Sequence, residues 1–184
     1  NNLQVVVDYE NFDDAIITSE NEGLAGLAIQ GPKSCAALQA FGFEGIEDLK
    51  PYELQYFDLN GNQILAGRVG FTGDLGYELW FRHEAIDAIS TALTHADEAL
   101  GLKIPAYGLL ALQICRIQAG LIVPGWDTIA EFQDTNLERT PYELTLGWNT
   151  KLDREERFAG KEALKEQKAN GARFKMKGFS ISSK

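Results

Sequence analysis

The chain has 184 residues, of which 45% are hydrophobic and 24% charged, a composition that excludes disordered and fibrous classes. Seventeen basic against 27 acidic residues give a net charge of −10, which excludes a general binder of the nucleic-acid phosphate backbone. No apolar run approaches the roughly 20 residues that span a bilayer, and a chain of this size buries about 70% of its unfolded surface without a metal or disulfide staple.

Two cysteines, Cys35 and Cys115, rule out a disulfide framework and any Cys-rich zinc or iron–sulfur site. Both fall in stretches that read as helix, where small buried thiols are expected. His83 and His95 have neither an i+4 histidine nor a nucleophile elbow nearby, and read as surface residues. The sequence opens at Asn1 without an initiator Met or a leader-like run, as though cut from something longer.

Residues 1–32 carry six acidic residues and no Lys or Arg. Val5-Val6-Val7 and Leu24–Gln30 read as strands, with Ile16-Ile17 a weaker candidate. Pro32 is expected to open a helix reaching Phe41. Strands follow at Leu54–Leu59 and 63–69, joined through Asn60-Gly61, the pair that a type I′ hairpin turn demands. A glycine-punctuated loop leads to a strand at 77–82. From Glu84 a helix is expected to bury Ile86, Ile89, Leu93, Ala96 and Leu100, with Gly101 stopping it. A second helix after Pro105 shows an apolar stripe at Leu110, Ile114, Ile117 and Leu121. Residues 122–140 read as loop, a short segment spans 144–152, and a helix runs from about 159 to 169. Its region, 151–177, holds nine basic residues against five acidic ones interleaved at helical spacing, which reads as a solvated face. Alternation over 173–181 predicts a further strand. Strand runs and helix runs segregate, which predicts an α+β fold with a mixed or antiparallel sheet. Tyr-Glu-Leu recurs at residues 52–54, 77–79 and 142–144, but the flanks do not match and no repeat is implied.

Chemistry concentrates in residues 67–80. Gly67, Gly70, Gly73 and Gly76 recur at every third position, which predicts a tight, shaped loop between two strands. No Gly-Lys-Ser/Thr follows, so it is not a nucleotide P-loop, and the next element is a strand, so it is not a dinucleotide fingerprint. Period 2 puts Tyr77, Leu79 and Phe81 on one strand face, and Glu78, Trp80 and Arg82 on the other. Glu78 therefore faces solvent, paired with Arg82 or another neighbour, or faces a cleft beside Trp80. In the cleft, a carboxylate next to an aromatic plane suits a flat heterocycle that presents an N–H and an amino group. Arg116, within an apolar helix, is expected to snorkel or pair with a carboxylate, or else to bind an anionic ligand.

Gly70-Phe71-Thr72-Gly73-Asp74-Leu75-Gly76-Tyr77-Glu78-Leu79 resembles the GYTGE-x-G-Y/F-E pattern of the glycine cleavage T-protein (aminomethyltransferase) family. Ile29-Gln30-Gly31-Pro32-Lys33 is similar to that family's QGPKA turn, and residues 111–121 to its helix with A-x-x-x-LR-x-E-x-G. Pro141-Tyr142-Glu143-Leu144 with Leu146-Gly147-Trp148, and residues 158–164, resemble two later blocks in family order. The resemblance implies a tetrahydrofolate-dependent aminomethyl or methyl transferase without a metal. Its alternatives are a folate-binding accessory protein of the same superfamily, the folate domain of a dimethylglycine or sarcosine dehydrogenase-like enzyme, or a folding or interaction unit without ligand. By the resemblance Glu78 grips the pterin, Phe71 packs in its pocket, Arg116 lies near the cofactor and Trp148 beside the pocket; an ordinary core tryptophan is the other reading of Trp148. Arg68 and Arg116 are the candidate cations for folate's carboxylate tail. Gln118 replaces the family's usual Glu, and Pro124 stands where a Tyr often precedes the loop glycine. The family's catalytic Asp is expected outside the chain. The implied organisation is a folate-binding region over 1–172, incomplete at its N-terminal side, with 173–184 starting a C-terminal barrel. Implied partners are a small one-carbon donor or a lipoyl carrier protein, with no nucleic acid or membrane, and the implied compartment is cytoplasmic, or mitochondrial in a eukaryote.

Overall fold

The structure, a computed structural model, describes residues 23–128 and 139–182. The strands expected at Val5-Val6-Val7 and Ile16-Ile17 lie outside the described residues, as does most of the 122–140 loop. Two compact units divide the chain, Asn1–Leu112 and Gln113–Lys184.

Among the described residues the first unit is built on a four-stranded sheet in the order β1-β4-β3-β2, with β1 at Leu24–Gln30, β2 at Leu54–Leu59, β3 at Asn62–Gly67 and β4 at Gly76–Arg82. Every pairing is antiparallel, so the sheet realises the antiparallel form of the expected α+β class. The β2–β3 hairpin turns through Asn60 (φ 53°) and Gly61 (φ 82°), both left-handed as a type I′ turn requires. Asp58 secures it by accepting from the Gly61 N–H at 3.0 Å.

Helix α1, Ser34–Ala40, begins two residues after Pro32. Helix α2, Ile86–Leu100, follows a short 3-10 turn at His83–Ala85 and ends at Gly101 (φ 59°), a left-handed cap that costs glycine little. Both helices pack on one side of the sheet. The core there comprises Ile29, Leu38, Ile64, Ala66, Tyr77, Leu79, Phe81 and Ile89 among others. Phe43 stacks on Phe57 at 4.7 Å and meets Phe41 edge-on at 5.7 Å, geometries that the ring quadrupoles favour.

The face that α2 buries differs from the expected one. Ile89, Ala92 and Ala96 are buried, Leu93 packs at the core's margin, and Ile86 and Leu100 are 49% and 40% exposed. The 3-10 turn just ahead of α2 puts Ala85, 1% exposed, into the core. The small residues Ala92 and Ala96 are buried along the same face. Burial pushes the Tyr77 phenol up to about 12, with the Cys35 thiol beside it adding to the effect. The neutral hydroxyl donates to the Ile46 carbonyl at 3.4 Å.

Helix α3, Leu109–Ala119, spans the division between the units. Its apolar stripe is turned outward, with Leu110, Ile114 and Ile117 more than half exposed and Arg116 its buried residue. In the second unit a 3-10 turn, Gly147–Asn149, precedes α4, Lys161–Asn170. The strand expected over 173–181 is not formed. Its main-chain tie is Met176 N–H to Glu143 O at 2.9 Å, and Phe179 and Ile181 are about 90% exposed. Alternation without a ladder partner makes an extended segment and no strand. Cys35 and Cys115 are half-buried and not enclosed. No helix among the described residues is long and apolar enough to cross a membrane.

Urea denaturation separates the observed face of α2 from the expected one. Ile89→Ala should cost about 3 kcal/mol, the range for a buried Ile cut to Ala, and Ile86→Ala less than about 1 kcal/mol. A titration tests Tyr77. Its pKa is raised on folding, so its stabilisation is complete below pH 10 and is lost as pH rises towards about 12. The stability of the wild-type chain should fall more steeply over that interval than that of Tyr77→Phe.

Candidate functional site

Because strand residues alternate, burying Tyr77, Leu79 and Phe81 against the helices turns Glu78 and Trp80 to the opposite face. The register gives that face its floor. Ala28 of β1 and Gly67 of β3 stand directly beside Glu78, and Gly26 and Leu65 beside Trp80. Glu78 is half-buried, and among the described residues no ion pair or hydrogen bond engages its carboxylate. The expected alternative, a salt bridge from Glu78 to Arg82, is not formed.

Trp80 lies over the small residues of this floor. A Cβ on Gly67 would come within 3.1 Å of Trp80 Cζ3 and 2.7 Å of Leu54 Cδ2, while one on Gly26 would sit 3.9 Å from Trp80 Cδ1. The indole thus reaches from the β1 side to the β3 side across β4. A free carboxylate beside a flat ring, on a surface of Gly and Ala, can receive two parallel N–H donors from a planar ligand. Phe71, half-buried, belongs to the loop that feeds β4. A mainly apolar groove of about 680 Å³ runs along the outer edge of β1, lined by Gly26, Ala28, Gln30, Leu93, Asp97 and Tyr107. Neither Glu78 nor Phe71 lines it.

Sequence reasoning did not single out Gln30. Its Nε2 donates to the carbonyls of Val69 (3.4 Å) and Tyr77 (3.2 Å), and its Oε1 accepts from the Thr72 hydroxyl at 3.2 Å. A Cβ on either Gly70 or Gly76 would overlap that amide. The signal was in the sequence as a Gln ending a strand ahead of two glycines six residues apart, but their contact is long-range.

Arg68 donates from Nη1 to the Leu49 carbonyl at 2.8 Å, within the first unit. Arg116 and Trp148 belong to the second unit. Arg116 pairs with a carboxylate, the first of its expected readings. Its Nη1 donates to Asp127 and to the Leu121 carbonyl (3.2 Å), and its Nε to Gln113 Oε1 at 2.6 Å. Asp127 Oδ2 also accepts from the Val123 N–H at 2.8 Å. The Arg116 hydrogen bond and the Val123 N–H hold the Asp127 carboxyl below its usual range despite burial. Trp148, 76% exposed, is not a core tryptophan. It stands on the 3-10 turn, where Gly147 is pressed against the Tyr142 ring, a Cβ there meeting Cδ1 at 2.6 Å. Thr140 and Glu143 cap one another, Glu143 Oε2 accepting from Thr140 N–H (3.1 Å) and Thr140 Oγ1 from Glu143 N–H (3.4 Å). That Thr-x-x-Glu spacing is a capping box readable in sequence.

The Arg116–Asp127 pair sets a test. Asp127→Ala strands a guanidinium whose side chain is 6% exposed, and should cost about 3 kcal/mol in urea denaturation, whereas Arg116→Met with Asp127→Leu should cost much less. Because folding lowers the Asp127 pKa from 3.8, its stabilisation is present above that pH and is lost as pH falls through the lowered value. Wild type should therefore lose more stability than the double variant on acidification below pH 4.

The sequence model of the GCVT N-terminal domain matches residues 2–154. The aminomethyltransferase of Halothermothrix orenii is 36% identical over 90% of this chain and 43% of its own length. That of Bacillus subtilis is 34% identical over 91% of this chain and 44% of its own. The crystal structure of glycine cleavage system aminomethyltransferase T from Bartonella henselae superposes with a TM-score of 0.69 at 24% identity, over 91% of this chain and 42% of that one. The chain thus spans less than half the length of the relatives it matches. With the match covering most of its residues, the chain belongs to the GCVT N-terminal domain family.

Proposed function

We propose that this chain carries the pterin-binding part of a tetrahydrofolate-dependent aminomethyl or methyl transferase, centred on Glu78. The observation that carries the reading is the state of that carboxylate. It is half-buried, without a partner among the described residues, and flanked on both adjacent strands by residues too small to cover it. Desolvating a carboxylate without a partner is unfavourable, so a ligand with matching donors gains the hydrogen bonds the protein leaves unmade. A pterin ring, with its N–H beside an amino group, is such a ligand, and the ionised acceptor makes both hydrogen bonds charge-assisted.

Phe71 supplies an apolar wall from the loop, without the hydroxyl that a tyrosine would offer there. Trp80 adds a flat surface next to the carboxylate. Arg116 holds the 121–127 turn through Asp127, and the cofactor-binding role proposed for it and Trp148 rests on the family resemblance alone. When bound, tetrahydrofolate supplies the amine that accepts a one-carbon unit. What this chain does is hold and orient it, a contribution of position and not of bond-making. The one-carbon donor would be a small methylated or aminomethylated compound, or a lipoyl-bound group on a carrier protein. Support comes from the named activity of the relatives.

Calorimetric titration of tetrahydrofolate into the full chain tests this. Removing the charge in Glu78→Gln should forfeit about 1.5–3 kcal/mol of binding, roughly a 10- to 100-fold rise in Kd, and Glu78→Ala should abolish measurable binding. Equal affinity in wild type and Glu78→Ala would overturn the assignment.

A further inference from the structure

Gln30 ends β1 on the Glu78 face, opposite the core, and its side chain leaves the sheet to enter the loop between β3 and β4. Its Nε2 reaches Val69 O, where the chain departs from β3, and Tyr77 O, where it has joined β4. One NH2 group therefore ties together the two stems of the loop. Its Oε1 accepts from Thr72, next in sequence to Phe71. The adjoining main chain adds Gly31 N–H to Leu75 O at 2.7 Å.

The two glycines that enclose the amide confirm how tightly it is seated. Gly70 and Gly76 have no positive φ, so an L-residue could adopt either backbone conformation. A Cβ at either position would nevertheless overlap the Gln30 amide. These glycines serve Gln30, and Gln30 serves the loop. No other side chain reproduces its donor, acceptor and length together: Glu lacks the donor and faces two carbonyls, Asn is a methylene short, and Met has neither polar end.

We propose that Gln30 is the positioning residue of the Phe71–Glu78 site. By fixing the loop stems it sets where Phe71 stands relative to Glu78, and so the affinity for the planar ligand, without touching that ligand. The proposal rests on the folate reading above. It differs from a role in folding, because Gln30 contributes nothing to the buried core and its amide bonds are local to one loop.

The test combines tetrahydrofolate titration with amide hydrogen exchange and thermal unfolding of the full chain. Gln30→Met and Gln30→Glu should each raise Kd at least tenfold and accelerate exchange of the 70–76 amides, with little change in Tm. Gly76→Ala should weaken binding similarly. Adding Gln30→Ala to it should remove the overlap, so that the double variant binds no worse than Gln30→Ala alone. Wild-type affinity in Gln30→Met and Gln30→Glu would overturn the proposal, as would losses at 30 and 76 that simply add. If wild type binds no tetrahydrofolate, the folate reading fails by itself. Exchange then decides the rest: faster exchange of 70–76 in Gln30→Met upholds the brace, and unchanged exchange removes it. Should Gln30→Met not fold, Gln30→Glu, isosteric with the native residue, carries the same readouts.

Discussion

A primary amide with both its ends satisfied is the constraint on which the loop between β3 and β4 depends. Gln30 fills space that exists because residues 70 and 76 have no side chain. This accounts for the three-residue glycine spacing without any repeat. Gly67 admits Trp80 and Leu54, Gly70 and Gly76 admit Gln30, and Gly73 takes a φ of 79°. Four glycines thus answer to three separate physical demands, and only Gly73 answers to backbone conformation.

The two sheet faces divide the labour. One carries the aromatic and branched residues that α1 and α2 cover, and supplies most of the stability through burial. The other is floored by Gly26, Ala28 and Gly67, which contribute little to packing and leave Glu78 and Trp80 room. Side-chain direction alternates along a strand, so a one-residue slip of β4 would exchange these roles and put a carboxylate in the core. The burial that stabilises the sheet is therefore what fixes the direction of Glu78. Fold and site share one register.

Much of this was legible in the sequence where a local rule governs. Asn60-Gly61 allowed one tight turn, period 2 separated Tyr77 from Glu78, and Gly101 marked the end of α2. Local rules fail where a tertiary contact decides. Ile86 and Leu100 fit a helical stripe but were displaced from the core by Ala85 and the small residues of α2. The apolar stripe of α3 follows helical spacing, and yet its buried residue is Arg116, because a partner at Asp127, eleven residues away, satisfies its charge. Residues 173–181 alternate like a strand, but alternation describes one chain and a strand needs two. At the site, Glu78 could be placed on its face from sequence, whereas Gln30 could not be recognised, since its partners lie 39 to 47 positions away.

Electrostatics constrains what the open face can recognise. With a net charge of −10, the chain offers an anionic ligand no long-range attraction, and salt screens what field there is beyond about 10 Å. The two arginines that the sequence offered as cations are each engaged within their own units, Arg68 by the Leu49 carbonyl and Arg116 by Asp127. On this face Glu78 is a short-range acceptor that no hydrogen bond or ion pair engages among the described residues. A neutral heterocycle that donates from one edge complements such an acceptor, and a ligand led by its anionic group does not.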